Sequence, residues 1–231
     1  VAPLTPAEPA SVGPTLALVV AGGGAPEHHL LARVLAGRTP DLVVAADSGA
    51  DVALGLGLEV HVLVGDLDSI SGAGRRTVEA AGAEVEVHPT AKDETDLDLA
   101  LRAAAERGAG EVVVLGGAGG RFDHLLGGVL LLGAEAHRGL TTTAVLGEAV
   151  VTVVHGNRPR TVTGAPGDLV SLLAVGGPAL GVRTEGLAWA LVEETLDAGS
   201  SRGVSNVLEG TSATVATTGG VLLVVQPGPE R

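Results

Sequence analysis

Val60-His61-Val62-Leu63-Val64-Gly65-Asp66-Leu67-Asp68-Ser69 is a short apolar run that breaks into an acidic turn. Five residues dominated by β-branched and aliphatic side chains, closed by Gly, read as a buried strand. The carboxylates then stand at its carboxyl end, where open parallel sheets bind their ligands. A second cluster, Lys92-Asp93-Glu94-Thr95-Asp96, follows another strand-like run in the same way. A lone Asp-x-Asp is usually a pair of solvated loop acids. Two clusters in equivalent strand-end positions instead suggest one crevice and a hard divalent cation, with Asp66, Asp68 and Asp96 offering carboxylate oxygens to Mg²⁺ and substrate phosphates.

Working outward, strand-like runs over 16–21, 42–46, 60–64, 84–88, 111–115 and 142–146 alternate with helix-like runs over 27–36, 50–56, 74–81, 96–106 and 122–137. Such alternation indicates βα units and a parallel sheet. In the fourth helix Leu97, Leu99, Ala100, Leu101, Ala103 and Ala104 supply an apolar stripe, and Thr95 is its N-cap. Beyond 146 the helical period is lost, and β-branched runs at 150–155, 169–174 and 221–225 are separated by Gly, Pro and Asn. That pattern predicts an antiparallel sandwich or barrel as a second domain. The expected division is a disordered leader over 1–14, an α/β domain over 15–146 and a β domain over 147–231.

The chain has 231 residues, no Cys and a formal net charge of −13. The missing Cys rules out disulfides and thiolate chemistry and fits a cytoplasmic protein. The acidic balance opposes nucleic acids and anionic membranes as partners. Mean hydropathy is +0.41, yet the long uncharged stretches are broken by Gly, Pro and Thr and read as no membrane-spanning helix.

Further candidates lie at strand ends. Gly22-Gly23-Gly24 is a weak phosphate-loop signal, and Asp47 before Ser48-Gly49-Ala50 reads as a helix cap or a ligand-hydroxyl contact. The run Gly116-Gly117-Ala118-Gly119-Gly120-Arg121-Phe122-Asp123-His124 sets a guanidinium and an Asp-His pair behind four glycines, as a phosphate-facing loop does. His124 is open to two readings, general base or structural residue. Lys92 is the only lysine in the chain, a compact ammonium among carboxylates. In the β half, Trp189 reads either as core or as an aromatic plate for a flat heterocycle, with Ser205 and Asn206 as its polar fringe.

In this order the Asp47–Ala50 turn, the 65–69 and 92–96 motifs, Gly120-Arg121-Phe122-Asp123-His124, the stretch ending at Trp189, and Ser205-Asn206 resemble the thiamine pyrophosphokinase family. The resemblance implies a Rossmann-like parallel-sheet domain followed by an antiparallel β-sandwich. It implies a homodimer with active sites at the subunit interface, and Mg²⁺-dependent pyrophosphoryl transfer from ATP to thiamine, giving thiamine diphosphate and AMP. By matched position Asp47, Asp66, Asp68, Asp96 and Arg121 would be catalytic, with Asp66, Asp68 and Asp96 on the metal. Lys92, Asp93, Thr95, Gly119, Gly120, Arg121, Asp123 and His124 would line the ATP side. Trp189, Ser205 and Asn206, from the partner subunit, would contact thiamine. The same chemistry on another hydroxymethyl heterocycle such as a pterin, or a noncatalytic nucleotide-binding module, is the competing expectation. The chain departs from the usual family pattern at Asp51, His61-Val62, Gly128 and Val207.

Overall fold

A computed structural model describes residues 15–228, so the stretch read as a leader, 1–14, lies outside the described residues. Six strands, β1 (Thr15–Val20), β2 (Leu42–Ala46), β3 (Val62–Gly65), β4 (Glu84–Val87), β5 (Ala109–Leu115) and β6 (Thr141–Leu146), pair in parallel in the order β4-β3-β2-β1-β5-β6. The chain steps outward from β1 to β4 and then returns to the other side of β1 with β5. That reversal opens a crevice between the loops after β1 and β5.

Five helices cover the sheet: α1 (His28–Leu35), α2 (Gly49–Gly55), α3 (Gly72–Ala80), α4 (Asp96–Glu106) and α5 (Phe122–Leu132). Alternation along β1 divides its side chains between two cores. Leu16, Leu18 and Val20 pack with Leu30, Ala53 and Val78 of α1, α2 and α3, while Ala17 and Val19 face Leu99, Ala103 and Leu132 of α4 and α5. The small alanines of α4 let it lie close to β1–β3, which brings Asp96, its first residue, to the strand ends.

Past β6 a tight turn reverses the chain into β7 (Ala149–His155), and pairing becomes antiparallel. The remaining strands are β8 (Arg160–Thr163), β9 (Leu169–Glu185), β10 (Glu194–Leu196), β11 (Asn206–Val207), β12 (Ser212–Ala216) and β13 (Gly219–Gln226). The first half of β9 joins β13 and β11, and its second half joins β10 and β12. The two halves enclose a third core containing Val170, Leu172, Val182, Val215 and Leu222, the sandwich expected from the β-branched runs.

Two sequence expectations are corrected here. The fifth helix stops at Leu132 instead of running to 137, because Gly133 ends it and only a single 3₁₀ turn, Glu135–His137, follows. The strand expected over 169–174 continues to 185, since Gly176-Gly177-Pro178 bends β9 without ending it.

Candidate active site

Asp47 ends β2 with a left-handed backbone, φ 45°, and is 5% exposed. This conformation aims its carboxylate away from α2 and across to the loop after β3. There Oδ2 accepts the Ser69 hydroxyl at 2.7 Å and the Ser69 N–H at 3.3 Å, and Oδ1 accepts the Ile70 N–H at 2.9 Å. The reading of Asp47 as a helix cap is therefore corrected: α2 begins at Gly49, and the residue at its N-cap, Ser48, makes no side-chain capping bond. Asp51 repeats the device, accepting the Ser71 N–H at 2.8 Å and hydroxyl at 2.6 Å, while Ser71 caps α3 through Gly74. Asp51, a departure from the family pattern, thus serves the loop's architecture. Gly49 allows α2 this position, because a Cβ there would sit 1.9 Å from the Val20 carbonyl oxygen.

The loop so clamped carries Asp66 and Asp68 on either side of Leu67, itself at φ 61°. One carboxylate oxygen from each of Asp47, Asp66 and Asp68 lies within 4.8 Å of the others. Asp96 stands beside this trio at the start of α4, where Thr95 Oγ1 accepts the Asp98 N–H at 3.3 Å as the expected N-cap. Lys92, with its side chain 11% exposed, bridges the two clusters, its Nζ 3.3 Å from Asp66 Oδ2 and 3.1 Å from Asp96 Oδ1.

The electrostatics are those of crowded like charges. Desolvation works to raise the Asp66 pKa, but hydrogen bonds from Lys92 and the Asp68 N–H outweigh it and hold the carboxyl below its ordinary range. Asp68 is raised, chiefly by the Asp66 charge and then by desolvation and Asp47. Desolvation opposes the Lys92 charge, and its contacts with Asp96 and Asp66 outweigh that and raise its pKa. Four carboxylates against one ammonium leave an excess of negative charge. Asp96 Oδ1 is moreover buried without a directed hydrogen bond, having only the ion pair with Lys92. An oxygen-only donor set of this charge suits a hard cation such as Mg²⁺. The geometry groups Asp47 with Asp66 and Asp68 as the three close donors and sets Asp96 against Lys92.

The opposite wall comes from the loop after β5 and from α5. Gly24 N–H donates to Ala118 O at 2.6 Å and Gly117 N–H to Gly22 O at 2.7 Å, so the two glycine loops tie the crevice mouth together. Arg121 is an exposed residue whose guanidinium is held by Asp123, and that contact lowers the Asp123 pKa to about 2. The whole forms a cleft of about 630 Å³ lined by Asp47, Asp66, Asp68, Lys92, Thr95, Asp96, Gly120, Arg121, Asp123 and His124. Asp93 and Gly119 are not in its wall. Ser48, Ser69, Thr90 and Glu94 are, and of these only Ser48, Ser69 and Glu94 fell inside motifs visible in the sequence.

Trp189 is 63% exposed, which removes the core-packing reading. Asn206 is 5% exposed and holds the Trp189 backbone, donating from Nδ2 to Trp189 O at 2.8 Å and accepting the Trp189 N–H at 3.0 Å. Its Oδ1 also accepts the Val207 N–H at 2.9 Å, so most of its polar capacity is used within the chain. Ser205 has φ 61°, is exposed, and lines the same hollow as Trp189. With Glu194 and Arg202 these residues line a separate hollow of about 420 Å³ that shares no residue with the acidic cleft. Within one chain the two groups of expected site residues stay apart.

Comparison with known proteins matches this arrangement. Residues 37–143 match the family profile described as thiamin pyrophosphokinase, catalytic domain, and residues 158–222 match thiamin pyrophosphokinase, vitamin B1 binding domain, together well over half of the chain. The chain belongs to the thiamine pyrophosphokinase family. A thiamine pyrophosphokinase from Bacillus subtilis (strain 168) is 39% identical over 116 residues, 49% of this chain and 52% of the relative. Thiamine pyrophosphokinase 1 from Oryza sativa subsp. japonica is 26% identical over 155 residues, 64% of this chain and 59% of the relative. These matched segments thus span little more than half of each relative's length. Among solved structures, thiamin pyrophosphokinase from Geobacillus thermodenitrificans superposes with a TM-score of 0.74 at 26% identity, covering 93% of this chain and 98% of that one. The Bacillus subtilis structure gives a TM-score of 0.76 at 24% identity, covering 93% and 100%, a likeness of fold.

Proposed function

We propose that this protein is a thiamine diphosphokinase, transferring a pyrophosphoryl group from ATP to the hydroxyl of thiamine and releasing AMP. The observation that carries the reading is the clamped Asp47–Asp66–Asp68 cluster facing Lys92 and Arg121 in one cleft. It is supported by family matches to both a catalytic and a vitamin B1-binding region. The second match disfavours a pterin pyrophosphokinase, and the complete acidic set disfavours a noncatalytic module.

Asp47, Asp66 and Asp68 would hold Mg²⁺, with Asp96 completing the acidic wall. When bound, Mg²⁺ supplies charge neutralisation on the phosphate oxygens. Lys92 and Arg121 add fixed and mobile positive charge to the same task, Arg121 leaving Asp123 to meet the phosphates. The acceptor oxygen forms a bond to the β phosphorus, the bond from that phosphorus to the bridging oxygen of AMP breaks, and the hydroxyl proton departs. Because phosphoryl transfer is largely positioning and electrostatics, the chain's contribution is a clamped acidic floor and aligned cations. The general base stays unassigned.

The division into a catalytic 15–146 segment and a thiamine-binding, dimer-forming 147–231 segment belongs to this proposal. So does a cytoplasmic homodimer in which Trp189, Ser205 and Asn206 of one copy face the acidic cleft of the other. The separation of the two hollows within one chain supports it. No helix among the described residues is long and apolar enough to cross a membrane. Product analysis tests the chemistry: AMP and thiamine diphosphate should form in equal amounts, only with Mg²⁺ present. ADP with thiamine monophosphate would make the protein an ordinary kinase, and AMP without acceptor a hydrolase.

A further inference from the structure

His137 is a buried histidine that the proposed chemistry does not use. It is 5% exposed and closes the 3₁₀ turn after α5, where its N–H donates to Ala134 O at 3.0 Å and its carbonyl accepts the Leu140 N–H at 2.9 Å. The turn has a firm seat on both sides. Leu140 is buried in the core shared with α4, and Gly133, where α5 ends, is packed so closely that a Cβ there would stand 2.7 Å from Val175 Cγ2 and 3.2 Å from Val221 Cγ1. From this place the imidazole reaches across to α4, with Nε2 2.8 Å from Asp98 Oδ1. A carboxylate only accepts, so Nε2 carries the hydrogen and donates it.

Asp98 belongs to the first turn of α4, the part of that helix which the core holds least. Leu99, Ala100, Leu101, Ala103 and Ala104 are buried, whereas Asp96, Leu97 and Asp98 are each only half-buried. Helix ends fray unless their first groups find partners. Two contacts hold this one: Thr95 Oγ1 accepts the Asp98 N–H from within the segment, and His137, 39 positions away in sequence, grips the Asp98 carboxylate from another element. The same turn carries Asp96, whose Oδ1 is buried with only Lys92 Nζ, at 3.1 Å, to meet it. We infer that His137 is a positioning residue: by tying Asp98 to the turn seated on β9 and β13, it fixes the start of α4 and so holds Asp96 against Lys92 in the wall of the cleft. The reaction served is the one proposed above, on which this role rests.

Amide hydrogen exchange of the metal-free full chain reads the tether without turnover. The Asp98 N–H bonds to Thr95 Oγ1 and the Leu99 N–H to Thr95 O at 3.1 Å, so both report on the first turn. In His137→Leu their protection should fall roughly tenfold or more, the factor that accompanies a hydrogen bond to a charged group, while Ala103 and Ala104 further along α4 keep theirs. The kcat should fall by a similar factor, roughly tenfold, as Asp96 is misplaced, and the KM for thiamine should not change. His137→Gln, which offers a side-chain N–H in the same region, should recover both protection and kcat. Asp98→Ala cuts the same bond from a side chain that is 30% exposed, and should reproduce the losses even if the buried His137→Leu fails to fold. Unaltered protection, lost protection with unaltered kcat, or a Gln variant no better than the Leu variant overturns the role of His137 and leaves the proposed function standing. Absence of turnover in the folded wild-type chain overturns the proposed function and this role with it.

Discussion

In the proposed mechanism Asp66 and Asp68 contribute fixed negative charge that holds the cation, so replacing either by Asn should lower turnover by roughly a hundredfold or more. Asp47→Asn should lose as much, and for two reasons: it removes a donor oxygen and weakens the acceptor of three hydrogen bonds that hold the 66–69 loop. Steady-state assays at saturating Mg²⁺ check the three, and near-normal turnover in two of them would remove the metal assignment. Trp189→Ala belongs to the same scale. With the indole already exposed, the fold should survive, while stacking and contact worth about 1 to 3 kcal/mol are lost from acceptor binding. The KM for thiamine should rise and that for ATP should not. Asp47 also marks the limit of sequence reading among the site residues. Its presence in the cleft was legible, but its partner Ser69 lies 22 positions away, and no local spacing shows that two loops are joined by a hydrogen bond.

Among the elements, α4 was legible to the residue because everything local agreed: an apolar stripe, a Thr cap and helix-favouring Ala and Leu. Its cap also sets the position of Asp96. Thr95→Ala should therefore cost about 1 kcal/mol of stability and lower turnover more than that loss predicts, measured by chemical denaturation beside the kinetics. A variant with lower stability and unaltered turnover would separate the cap from the site. Elements that depend on distant pairing were less legible. The 17-residue β9 was read as six residues because Gly176-Gly177-Pro178 resembles a loop, and only β10 and β12 on its far half make it a strand. Strands β8, β10, β11 and β12 are too short, and too dependent on pairing, for a period of two to show. The end of α5 was overrun because Ala134, Glu135 and Ala136 beyond Gly133 are helix-favouring residues, and locally they read as a continuation.

In the molecule as a whole, acid stability should reflect His155, buried at the end of β7 with Nε2 unpartnered. Burial lowers its pKa, and the nearby charges of Arg138, Arg158 and Arg160 add to the effect while Glu135 opposes it. A folded-state pKa below the unfolded one, about 6.5, means that the unfolded chain takes up the proton first. This contribution is fully present above that pH and is lost as pH falls toward the folded value. Denaturation midpoints measured between pH 7.5 and 5 should fall, and His155→Leu, which removes a polar atom that has no partner, should flatten the slope. An equal slope in the variant would assign the effect to the carboxylates.

Assembly is the other whole-molecule property, and the two separate hollows make it testable. If each active site joins the acidic cleft of one copy to the Trp189 surface of another, an Asp66→Asn chain and a Trp189→Ala chain are damaged in complementary halves. Alone, each should be inactive at low thiamine. Refolded together, half of the dimers would pair unlike chains, and each such dimer holds one site with both halves intact and one with both damaged. Activity at low thiamine should return to about a quarter of wild type, the ratio for random pairing across a two-fold interface. The mixture should also show the wild-type KM for thiamine, because the restored sites contain no substitution. Activity no greater than the mean of the two separate proteins would mean that each chain builds its site alone, and Trp189 would then have no place opposite the carboxylates.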